Sequence, residues 1–140
     1  MKININLCIF AASFSALTGC ALGPRIVSDF SGLGTSEVAM VLASDFLKSR
    51  EKIEKDITIL VNRRDILDAV DRSQELSKLG FSCPFSDKPL CSYNGSLNYK
   101  LQAPPGKIGS HSNATEIYSI ALDYSKEPIS IKIKVEVNTI

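Results

Sequence analysis

The sequence predicts an α+β fold, with two helices packed on one face of a small, mainly antiparallel sheet. Apolar residues recur at helical spacing up to Gly80, and from Phe81 onward the period drops to two. Turn residues separate the periodic runs: Gly80, Pro104-Pro105-Gly106 and Ser125-Lys126-Glu127-Pro128.

The chain of 140 residues opens with one positive charge at Lys2, an apolar stretch from Leu7 to Leu17 and small residues before a cysteine. That is the three-part layout of a secretory signal, and its apolar core is far short of the roughly twenty residues that span a bilayer. Leu17-Thr18-Gly19-Cys20 resembles the lipobox of bacterial lipoproteins. The resemblance implies cleavage after Gly19, with a diacylglyceryl group on the Cys20 thiol. Several acyl chains, at about 0.8 kcal/mol per buried methylene, anchor a protein that does not itself cross the membrane. Ala21 and Leu22 follow the cysteine in place of the aspartate that commonly retains such lipoproteins in the inner membrane. By that likeness the expected address is the outer membrane, periplasmic side.

The division expected is a signal peptide over 1–19, a lipidated tether over 20–35 and a single α+β domain over 36–140. Ala21 to Thr35 is rich in Gly, Ser and Pro and has no sustained period, as a flexible tether would be. Ser36 reads as an N-cap, and Val38, Leu42, Phe46 and Ile53, with Ala39, Ala43 and Leu47, form the stripe of a helix to about Lys52. Ile57-Thr58-Ile59-Leu60-Val61 is β-branched and predicts a strand. Asn62 then caps a second helix with Ile66, Leu67, Val70, Leu76 and Leu79 inward, and Gly80 is its left-handed stop.

Phe81 begins a short strand that turns through a loop from Pro84 to Pro89. Leu97, Tyr99 and Leu101 alternate in the next strand, followed by Tyr118, Ile120, Leu122 and Tyr124. In the last, Ile129, Ile131, Ile133, Val135 and Val137 alternate with outward Lys132, Lys134 and Glu136, so one face is wet. That strand either lies at a sheet edge, where it could accept a neighbour's strand, or is paired on both sides.

The net charge is +1, and Lys2 is the only charged residue of the leader, so the remainder is neutral. Neither a nucleic-acid footprint nor a patch for acidic lipid is implied. Of four cysteines, Cys8 leaves with the signal and Cys20 carries lipid, which leaves Cys83 and Cys91 to form a disulfide in an oxidising compartment.

No catalytic, cofactor or metal site is expected. His111 is the single histidine and lies in the polar stretch Gly109-Ser110-His111-Ser112-Asn113, a solvated loop without a positioned nucleophile or carboxylate. Asp65, Asp68 and Asp71 beside Arg63, Arg64 and Arg72 read as solvent contacts along a helix face. Asn94-Gly95-Ser96 and Asn113-Ala114-Thr115 match glycosylation sequons but read as turn chemistry in a bacterial lipoprotein.

Ser36-Glu37-Val38-Ala39 through Ala43-Ser44-Asp45-Phe46-Leu47, the run Ile57 to Val61, Asp65 with Ile66, and Leu76 to Phe81 look like the TrbH family of conjugal-transfer lipoproteins. Leu97-Asn98-Tyr99, Tyr118 to Leu122 and Ile129 to Lys134 continue that likeness in order. The element order also resembles the small periplasmic domains of secretins and the DotD-type lipoproteins of type IVB secretion. These resemblances imply a non-enzymatic structural subunit of an envelope-spanning conjugation or type IV secretion apparatus. Its partners are then the membrane, through the N-terminal lipid, and the other protein subunits. A free-standing outer-membrane lipoprotein with a ligand-binding or envelope-maintenance role is the alternative, and a small hydrolase a third reading, since fold does not fix function.

Overall fold

The computed structural model describes residues 2–5, 25–84, 88–102 and 112–139. Among these residues five strands form one antiparallel sheet in chain order: β1 (Lys2–Ile5), β2 (Arg25–Asp29), β3 (Leu90–Gln102), β4 (Ser112–Asp123) and β5 (Ser130–Thr139). Between β2 and β3 lie a short 3-10 turn (Ser31–Leu33) and the helices α1 (Glu37–Asp45), α2 (Arg50–Val61), α3 (Arg64–Leu67) and α4 (Arg72–Lys78). Val38, Leu42, Ile53, Ile57, Ile66 and Leu76 from the helices bury against Tyr93, Leu97, Tyr118, Ile120, Leu122 and Ile133 from the sheet. The opposite face, with Asn94, Asn98, Lys132, Lys134 and Glu136, is exposed. The fold is the expected α+β class, with helices on one side of an antiparallel sheet.

Several local expectations are corrected. The stretch expected as a tether over 20–35 contains β2, hydrogen-bonded to β3 from Arg25 opposite Gln102 to Asp29 opposite Asn98. Phe30 and Leu33 are buried, and the Phe30 ring meets Phe46 edge-on at 5.4 Å, so ordered structure begins well before Ser36. The first helix stops at Asp45, because Ser49 starts a new one by accepting from the Lys52 amide at 3.3 Å. Leu47, in the break, is exposed.

The run Ile57 to Val61 is helical. Ile53, Ile57, Leu60 and Val61 fall at i, i+4, i+7 and i+8 and are all buried, so packing of that stripe overrides the β-branched preference. The expected second helix is two short ones, since Asp71 caps α4 by accepting from the Gln74 amide at 3.1 Å. Val70 lies in the break, fully exposed and not inward.

The stop at Gly80 is as expected. Its φ is +110°, and Gly80 and Phe81 amides bond the Ser77 and Leu76 carbonyls at 3.0 and 3.2 Å. A side chain at Gly80 would also run into Ser36, whose hydroxyl accepts from the Ala39 amide as the predicted N-cap of α1. Phe81 leads not into a strand but into an isolated bridge between Ser82 and Ser92.

Candidate functional site

The free strand edges are the places where this architecture exposes unspent bonding capacity. In an antiparallel sheet a residue's N–H and C=O point together toward one neighbour, and the side alternates along the strand. Ser92 exchanges both bonds with Ser82, away from β4, at 2.7 and 2.9 Å. The constant register of β3 with β4 carries this alternation through the sheet. Arg25, Val27 and Asp29 therefore bond β3, and the backbone groups of Ile26 and Ser28 face β1. On the far side, Ile129 to Thr139 at odd positions point outward from β5.

Among the described residues β5 is an edge strand, paired with β4 alone. Its first half is covered. Asn62, expected to cap a following helix, instead ends α2 and turns its amide onto Ile129. Its Oδ1 accepts from the Ile129 amide at 2.7 Å, and its Nδ2 donates to the Ile129 carbonyl at 3.1 Å. Arg50, at the start of α2, donates to the carbonyl of Ile133. The outward groups of Val135, Val137 and Thr139 lie beyond this cover, and Val137 is 54% exposed.

On the core face near the same end, the Tyr118 hydroxyl donates to Glu116. Burial, and then the Glu116 carboxylate, push Tyr118 ionisation far above the usual phenol range; Tyr99 is raised by burial and the same carboxylate. Both rings are neutral packing groups, and Tyr99 lies 6.2 Å from Phe46.

The aspartates and arginines singled out from the sequence do not converge. Arg63 bonds Glu37 at 2.7 Å and Asp65 at 3.1 Å, clamping the start of α1 to α3. Arg72 donates to the Leu67 carbonyl at 3.1 and 2.7 Å and to Glu127 in the β4–β5 turn. Asp71 is the cap of α4, held below the usual carboxylate range by the Ser73 hydroxyl first and the Gln74 amide second. Arg64 reaches Asp68 at 3.8 Å in full solvent.

The sequons are strand residues, not turns: Asn94, Gly95 and Ser96 lie in β3, and Asn113, Ala114 and Thr115 in β4. Thr115 donates across the strands to Asn98 at 2.7 Å. Gly95 is there because the Tyr93 ring lies over it, where a side chain would collide, and the Tyr93 hydroxyl bonds the Leu33 carbonyl at 2.6 Å.

Cys83 and Cys91 are joined, with Cα atoms 4.3 Å apart. Cys20 and His111 lie outside the described residues. Among the described residues no helix is long and apolar enough to cross a membrane, and no three metal-binding side chains gather.

The chain matches no family model, no curated protein and no solved structure. The sequence left β5 open as an edge or as a strand paired on both sides, and it did not show the clamps Asn62 and Arg50, because side-chain bonds between residues so far apart in the chain leave no local pattern. It also hid β2, a five-residue strand in a stretch of Gly, Ser and Pro.

Proposed function

We propose that this protein is a lipid-anchored, non-enzymatic structural subunit of a bacterial conjugation or type IV secretion apparatus, held at the outer membrane and facing the periplasm. The observation that carries this reading is Leu17-Thr18-Gly19-Cys20 at the end of a short apolar leader. The joined Cys83 and Cys91 fit an oxidising compartment. A small sheet whose edge strand is clamped over one half and open over the other suits assembly with neighbouring subunits by strand addition. The TrbH-like order of residues supplies the particular apparatus.

Two measurements test the reading. Metabolic labelling with a fatty acid should mark the wild-type protein and not Cys20→Ser, which has no thiol to form the thioether. Deleting the gene should abolish DNA transfer between cells, with recovery from the wild-type copy and not from Cys20→Ser. Transfer at the undiminished rate in the deletion strain overturns the channel role.

A further inference from the structure

We infer that the leader strand β1 holds a place in the sheet which, once the leader is cleaved, is taken by the C-terminal half of β5 from a second copy of this chain. The inference rests on leader removal before Cys20, as proposed above, but not on the secretion role.

The acceptor is already visible. Lys2-Ile3-Asn4-Ile5 pairs with β2 so that Lys2 stands opposite Asp29, Ile3 opposite Ser28 and Ile5 opposite Ile26. Cleavage after Gly19 removes all four residues and leaves the N–H and C=O of Ile26 and Ser28 without a strand. An edge vacated in this way is a template for another strand of the same pattern.

That pattern recurs twice, overlapping, on the molecule's other edge, at Lys132 to Val135 and at Lys134 to Val137, and in the first the Ile133 carbonyl is already taken by Arg50. Lys134-Val135-Glu136-Val137 repeats the order basic, β-branched, polar, β-branched. Set into the register of β1, Lys134 stands opposite Asp29, Val135 opposite Ser28 and Val137 opposite Ile26. The backbone phases agree, because Val135 and Val137 point their bonding groups outward from β5 as Ile26 and Ser28 do from β2. The faces agree as well: Val135 and Val137 share the core side of β5 with Ile133, and Ile26 and Ser28 lie on the core side of β2. Val137, an exposed apolar side chain, would then be covered by Ile26.

The limits of the two edges also fit. Asn62 holds both backbone groups of Ile129, just before β5, and Arg50 holds the Ile133 carbonyl, while β2 ends at Asp29, the position opposite Lys134. The incoming strand needs no partner in the part that α2 has closed. Strands β2 to β5 alternate in direction, so β5 runs opposite to β2 within one copy. A second copy in the same orientation therefore presents β5 antiparallel to β2, and all helices stay on one side of the joint sheet. Such a contact is head-to-tail, which closes into a ring or continues as a filament.

The test uses the full-length gene carrying Val27→Cys and Glu136→Cys, expressed in bacterial cells. These two residues would face each other across the new pair on the solvent side, within reach of a disulfide. Non-reducing gels should show a ladder of multimers from the double variant and none from either single variant. The ladder should vanish when Val137→Pro is added, because the outward amide is lost, and when Cys20→Ser keeps the leader attached. Intact mass of the wild-type protein reads leader removal independently. The inference is overturned by a processed, folded double variant that stays monomeric, by a ladder that persists with Cys20→Ser, or by a single variant that ladders equally. It is overturned too if the mass shows the leader retained. Loss of the DNA-transfer role alone would leave the ladder unchanged.

Discussion

Asn62 shows how one side chain can close a strand edge. Its two amide ends match the N–H and C=O of Ile129, so the bond pair joins the end of α2 to the start of β5. Asn62→Ala should lower stability by about 1–3 kcal/mol, the usual cost of leaving such buried partners unmet. Urea unfolding followed by circular dichroism checks this, and an unchanged midpoint would refute the clamp. Asp71 acts on a shorter range. Its carboxyl is favoured in the charged form by Ser73 and Gln74, so its contribution is present at neutral pH and fades as pH falls through the lowered folded-state value. Asp71→Asn keeps a capping oxygen but no charge. Urea midpoints for wild type and Asp71→Asn should therefore differ at neutral pH and converge in acid.

At the scale of elements, the periods foretold types better than boundaries. The helical stripe from Val38 onward is real, but Ser49 and Asp71 each carry a capping oxygen that competes with continued helix, and both break a run that apolar spacing alone would extend. Ile57 to Val61 misled because a short β-branched run reads as a strand until Ile53 is included in the count. In β3 to β5 the period of two placed Leu97, Tyr118, Ile120, Leu122 and Ile133 on the buried face, but it missed buried Cys91, Tyr93 and Ala114, which lie in strand ends read as loop or turn, and Leu101 and Val137 are exposed. The same alternation distinguishes proline positions in β5. The Lys134 amide faces Ser119 in β4, whereas the Val137 amide faces outward. Lys134→Pro should cost about 1–3 kcal/mol through the lost ladder bond, and Val137→Pro should leave the urea midpoint of the full chain nearly unchanged. Equal losses in the two variants would show the alternation assigned here to be reversed.

For the whole molecule, the change of period at Gly80 was enough to give the fold class, because helices cluster before it and the long strands follow. The candidate site was only half legible: the alternating lysines of β5 show a strand with one wet face but left edge and central positions both open, while its companion edge, β2, is too short and too polar in context to show a period. The cysteine pair was legible by elimination, and its placement explains what it stabilises. Cys83 sits just after the end of α4, where Phe81 and Leu76 are buried together, and Cys91 is the second residue of β3 and is itself buried. The bond thus fastens the last helix to the first long strand, next to the Ser82–Ser92 bridge that sets the phase of the sheet. Closing a loop with a separation of 8 residues restricts the unfolded chain by roughly 2 to 3 kcal/mol on the entropy model. Replacing both cysteines by serine should therefore lower the urea midpoint by a corresponding amount while keeping the circular dichroism of the folded state. Intact mass of the wild type should rise by two hydrogens on reduction. If two thiols alkylate without reductant, the bond is not formed in the protein, and the stability difference between wild type and the double serine variant should disappear with it.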